Sequence, residues 1–230
     1  MNILVGEIKK KLPFFIVLFL ILISGVIWLL ISGKGACFLA LNTYHSFLLD
    51  QFFIRFTYVG DGIFAIVLSL LYLIWFRSNK IGWMLLYAFF LSGLIAQIFK
   101  NIFPSPRPRL FFEHVNILSF IDGVTLSNNS SFPSGHTTTA FAVATVLVLV
   151  LKNTRWQLVI LFIAMCVGYS RIYLGQHFLG DVLAGMFIGT VSGLICVAGV
   201  ANNKIKTFSF KKAKDSNAIN PPKEVLISSC

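Results

Sequence analysis

At 230 residues the chain has the length of one ordinary domain, yet 57% of it is hydrophobic and only 12% is charged. Soluble domains carry about 25% charged residues, so this composition excludes an ordinary water-soluble globule and makes the lipid bilayer part of the solvent. The net charge of +11 falls almost wholly between apolar runs, with no aromatic-interleaved basic stripe, which points to membrane orientation and an anionic ligand rather than nucleic acid.

Six apolar runs follow one another along the chain: Leu12–Ile31, Thr57–Phe76, Ile81–Phe99, Gly135–Leu151, Trp156–Ser170 and Gly180–Val200. A bilayer-spanning helix needs about 17–25 residues, so the fourth and fifth runs are expected to extend into their flanks. The runs are continuous rather than alternating, which predicts helices and excludes barrel strands. The first run follows Lys9, Lys10 and Lys11. Its apolar core is too long for a signal peptide, and Lys34 stands where a lipoprotein cleavage site wants an aliphatic residue. It is therefore read as a retained span. Residues Phe38 to Phe53, broken by Asn42, His45 and Asp50, are expected to form one interfacial helix.

Lysine and arginine counts set the orientation. Six spans place both termini on one side, where 13 of the 19 basic residues fall, leaving 6 opposite. The positive-inside rule then puts the termini in the cytoplasm. The expected fold is an all-α membrane protein, a single bundle of six transmembrane helices occupying residues 1–203. Within it, residues 100–134 form a long non-cytoplasmic loop, and loops of that length are uncommon unless functional or disordered. Residues 204–230 form a flexible basic tail. Cys166 and Cys196 lie inside apolar runs, Cys37 and Cys230 fall on opposite sides of the membrane, and no pair has metal-ligand spacing.

The remaining unusual polar residues gather in three places, all on the non-cytoplasmic face of the six-span arrangement. The first is Lys100 to Arg109, where Lys100, Arg107 and Arg109 flank rigid prolines. Arginine offers a planar fork for phosphate and lysine a point charge. Alone, such a segment reads as a lipid-headgroup contact. The second is Pro133-Ser134-Gly135-His136, directly before an apolar helix. Free backbone N–H groups at a helix start bind anions, Gly135 permits close approach, and Ser134 can cap the helix or donate to a phosphate oxygen. His136 can protonate a leaving oxygen. The bland alternative is a simple cap followed by an incidental histidine. The third is Ser170-Arg171 followed by His177 and Asp181. His177 and Asp181 are four apart, so on a helix they share one face, and a carboxylate beside imidazole steadies a nucleophilic ring. Arg171 suits charge developing on phosphoryl oxygens. An isolated His–Asp pair is usually structural; two further anion-binding clusters on the same face argue otherwise.

These residues resemble the type-2 phosphatidic acid phosphatase superfamily of membrane lipid phosphatases. That family's signature is Lys-x6-Arg-Pro, Pro-Ser-Gly-His and Ser-Arg-x5-His-x3-Asp, and Lys100 with Arg107-Pro108, Pro133 to His136, and Ser170-Arg171 with His177 and Asp181 fill every fixed position in order. The resemblance spans roughly residues 12–200. It implies that His177 attacks phosphorus, Asp181 supports it and His136 protonates the leaving oxygen. Lys100, Arg107, Ser134, Gly135 and Arg171 would hold the phosphoryl oxygens. It implies neither metal nor cofactor, since fixed cations neutralise the phosphate. The substrate would be a phosphorylated lipid such as undecaprenyl pyrophosphate, phosphatidylglycerol phosphate, phosphatidic acid or lipid A. The location expected is a bacterial inner membrane with a periplasmic site. Two other readings stand beside this one: a lipid phosphotransferase using the same histidine chemistry, and a non-enzymatic lipid transporter. Oligomeric state, the lipid itself and the role of Arg109 are not legible.

Overall fold

A computed structural model of the chain describes residue 6 and residues 8–76, 79–113, 121, 130–151, 153 and 155–201. The expected tail, 204–230, and most of the expected loop after residue 113 lie outside the described residues.

Every element among the described residues is helical. They are α1 (Leu12–Leu41), α2 (Phe47–Phe56), a 3-10 turn (Thr57–Gly60), α3 (Gly62–Leu70), a π turn (Leu71–Trp75), α4 (Asn79–Ile102), α5 (Pro108–Phe111), α6 (Gly135–Val150), α7 (Trp156–Tyr173) and α8 (Leu179–Ala201). Four of these, α1, α4, α7 and α8, are long and apolar enough to cross a membrane. The pair Phe47–Gly60 and Gly62–Trp75, bent by 56°, makes a fifth if it crosses as one. The fourth expected span is α6, whose 16 residues give about 24 Å at 1.5 Å rise, short of the ~30 Å hydrocarbon core.

That shortness fits its place. α6 is the central helix, buried along most of its length and packed on α4, α7 and above all α8. The α6–α8 contact is close because α8 presents Gly185, Gly189 and Gly193 at four-residue spacing. A β-carbon at Gly185 would lie 2.8 Å from the Ser134 carbonyl oxygen, and one at Gly193 would lie 2.8 Å from Thr145 Cβ. At Gly189 it would run into the Thr138 carbonyl. Without a hydrophobic drive between helices in lipid, such backbone proximity supplies the packing.

One expectation at the N-terminal end changes. The interfacial helix over Phe38–Phe53 is not one element. Phe38–Leu41 ends α1, which is kinked at Gly33 (φ 77°, ψ 161°), and a new helix starts at Phe47. The break has side-chain causes. Asn42 Nδ2 donates to the carbonyls of Ile172 and Tyr173 (2.9 and 2.7 Å), closing the C-terminal end of α7. Ser46 Oγ accepts the Leu49 N–H and starts α2 as its N-cap. Lys11 is 2% exposed, and its ammonium donates to the Leu151 carbonyl (2.7 Å) at the end of α6. A cation there complements the helix dipole.

Candidate active site

The site is built at one end of the bundle, where α4, α6 and α7 present chain ends to one another. α7 stops because Gly175 adopts φ +66°. Its N–H donates to the Ile172 carbonyl and that of Gln176 to the Arg171 carbonyl, the pattern of a Schellman C-cap. The His177 N–H donates to the same Arg171 carbonyl (3.1 Å), so the reversal brings the histidine back toward the arginine. His177 thus precedes α8 rather than sharing a helical face with Asp181, as the four-residue spacing had suggested. Asp181 lies in the first turn of α8, and its Oδ2 accepts the Phe178 N–H (2.9 Å), half of a capping box.

The same oxygen, Asp181 Oδ2, lies 3.6 Å from His177 Nδ1 and accepts the Ser131 hydroxyl at 2.5 Å. His177 is 2% exposed and Asp181 5%. Burial lowers the His177 pKa from its ordinary value to about 4; the Asp181 carboxylate pulls it up, and the Arg171 cation adds to the fall. The ring is therefore neutral at neutral pH, which leaves Nε2 with a lone pair once Nδ1 carries the proton toward Asp181.

Ser134 is the N-cap of α6 and fully buried. Its N–H donates to the Asp181 carbonyl (3.0 Å), and its Oγ accepts the Thr137 hydroxyl (2.9 Å), which ties the start of α6 to the start of α8. Lys100, at the end of α4, reaches this turn: its Nζ lies 3.9 Å from a β-carbon built on Gly135. Arg107 Nη1 donates to Gln176 Oε1 at 2.6 Å, beside His177. Arg171 Nη1 donates to Thr57 Oγ1 at 2.7 Å, and its Nε is buried with no protein partner. His136, one residue into α6, has Nε2 3.7 Å from Asp61 Oδ2 and lies within the electrostatic reach of Arg171, His177, Lys100 and Arg107. All eight residues singled out from sequence therefore meet in one cluster. Arg109, on α5, is exposed at its edge. An opening of about 550 Å³, lined by Phe99, Ile102, Phe103, Pro104, Phe132 and Asp181, adjoins the cluster.

The sequence motifs assigned no role to Thr57, Asp61, Ser131 or Gln176. Ser131 and Gln176 sit beside the motifs, where proximity was a usable signal. Thr57 is 114 residues from its partner, and Asp61's local signature was a lone carboxylate inside an apolar run.

Three cations, two histidines and a buried carboxylate around one space can bind a phosphoryl group, attack it and protonate what leaves. Comparison with known proteins agrees. The family model described as the PAP2 superfamily matches residues 81–205, which contain all three clusters. The chain is 28% identical over 205 residues to an undecaprenyl-diphosphatase of Sulfolobus acidocaldarius, covering 86% of this chain and 96% of that protein. It is similar to the crystal structure of Aquifex aeolicus LpxE (TM-score 0.59, 32% identity, 72% of this chain and 94% of that one). It is also similar to that of a transmembrane PAP2-type phosphatidylglycerolphosphate phosphatase from Bacillus subtilis (TM-score 0.59, 25% identity, 86% and 98%).

Proposed function

This chain belongs to the PAP2 superfamily, and from that premise we propose that it is an integral membrane lipid phosphatase working through a phospho-histidine at His177. The observation that carries this reading is His177 held against Asp181 (3.6 Å) with the Arg107 and Arg171 cations acting on the same ring.

In this mechanism Lys100, Arg107, Arg171, Ser134 and the Gly135 N–H take the phosphoryl oxygens. Neutral His177 attacks phosphorus through Nε2. The N–P bond forms as the bond to the lipid oxygen breaks, and His136 gives that oxygen its proton. Asp181 steadies the positive charge arising on His177. Water then attacks the phospho-histidine, its proton passing to His136, and phosphate leaves. For a pyrophosphate substrate the leaving oxygen belongs to the lipid monophosphate.

The relatives act on undecaprenyl diphosphate, phosphatidylglycerol phosphate and lipid A, and these, with phosphatidic acid, are the substrate classes proposed here. The proposal includes residues 1–203 as the catalytic domain, six membrane crossings with both termini cytoplasmic, and a site facing the periplasm of a bacterial inner membrane. The basic tail, 204–230, stays outside the catalytic unit.

The test is phosphate release from a panel of these four lipids by purified protein. His177→Ala should abolish release, and wild-type enzyme quenched in alkaline denaturant should carry labelled phosphate on histidine, in a linkage that acid then releases. Full activity in His177→Ala sinks the mechanism. Label appearing only on a second lipid identifies a phosphotransferase.

A further inference from the structure

The bend between the 3-10 turn and α3 brings a second carboxylate to the cluster. Asp61 Oδ2 lies 3.7 Å from His136 Nε2, with the two side chains 33% and 30% exposed. The placement is fixed from both sides. Asp61 Oδ1 accepts the Ile63 N–H (2.8 Å) as the N-cap of α3. Next to it, Gly60 presses on α6, where a β-carbon would lie 2.8 Å from the His136 carbonyl oxygen. Thr57, one turn earlier, accepts from Arg171. One segment of five residues, 57–61, therefore touches both the histidine and the arginine, and none of it belongs to the three motifs.

His136 sits among cations. Lys100 on α4, Arg107 in the following loop and Arg171 on α7 each act electrostatically on its ring. Each like charge raises the cost of a protonated ring, yet an acid must carry its proton before it can give it away. Asp61, from the N-cap of α3, supplies the opposing charge.

We propose that Asp61 is a positioning residue for His136: its carboxylate steadies the imidazolium and orients the ring, so that a proton is ready for a poor leaving group. This rests on the reading of His136 as the acid. The geometry does not require Asp61 to touch the substrate.

Leaving-group dependence tests it. An alkyl ester departs as an alkoxide that needs a proton, whereas a nitrophenolate leaves without one. Wild type, Asp61→Asn, Asp61→Glu and His136→Ala are compared on a long-chain alkyl phosphate and on p-nitrophenyl phosphate. Asparagine also caps helices, so Asp61→Asn removes the charge and keeps the cap. General acids contribute about 10²–10⁴-fold, and loss of the partner should remove about 10-fold or more in kcat for the alkyl ester. The aryl ester should fall far less, and Asp61→Glu should retain more alkyl ester activity than Asp61→Asn. An equal fall on both substrates, or no fall, overturns the role of Asp61. If His136→Ala discriminates between the substrates while Asp61→Asn does not, the acid assignment survives and the Asp61 inference fails. If His136→Ala does not discriminate, the acid assignment itself fails and the inference goes with it.

Discussion

The hydroxyl of Ser131 donates to Asp181 Oδ2 at 2.5 Å, and this is the oxygen that faces His177 Nδ1. Ser131 is fully buried, and its own N–H is held by the Ser105 carbonyl (3.0 Å), so the segment before α6 is anchored to the segment after α4. One serine thus links the loop carrying Arg107 to the carboxylate beside His177.

Ser131→Ala should therefore slow the enzyme without weakening substrate capture. A hydrogen bond to a charged group is worth about 1.5–3 kcal/mol. With the Phe178 N–H still in place, part of that support survives. The expected result is a fall in kcat of about 10-fold with KM little changed. Steady-state kinetics on a lipid phosphate checks it, and a pure KM effect would place Ser131 in substrate binding instead.

The pH dependence follows from His177. Burial lowers its pKa to about 4 in the folded protein, against an ordinary value of about 6.5. As pH falls below 6.5 the unfolded chain takes up this proton first, so stability present above pH 6.5 is lost progressively toward pH 4. Thermal melting in detergent should show wild type losing more stability than His177→Asn between pH 7 and pH 5. Parallel curves would mean that His177 titrates normally. Over the same range His177 stays neutral, so under the proposed mechanism its protonation should not limit the rate.

The glycine face of α8 predicts a folding defect of a different kind. Gly189→Val places atoms against the Thr138 carbonyl and the Ala142 N–H group's nitrogen, both main-chain and unable to yield as a flexible side chain would. Overpacking a tight interface costs about 1–3 kcal/mol, and here the backbone of α6 must move. A lowered melting temperature and reduced activity are expected together, since α6 carries Ser134, Gly135 and His136. Gly93→Ala, where nothing lies within 4 Å of an added β-carbon, is the matched control and should melt close to wild type.

Periodicity and chemistry were legible before any fold was known. Continuous apolar runs can satisfy their backbone only as helices in lipid, and five of the six expected runs coincide with helices while Thr57–Phe76 contains a 3-10 turn, a bend and a π turn. The three motifs announced phosphoryl chemistry because each packs its cations, histidines and turn residues within about ten positions. The tertiary structure alone decided the supports. Asp61 against His136, Thr57 against Arg171 and Ser131 against Asp181 join residues 50 to 114 positions apart, a separation that no local pattern encodes. It also decided that Lys11 caps the end of α6, and that Gly175 ends α7 before His177, so His177 is set by a turn instead of a helical face. Helix formation depends on neighbours within one or two turns, whereas a buried charge finds its partner only when the chain has closed around it.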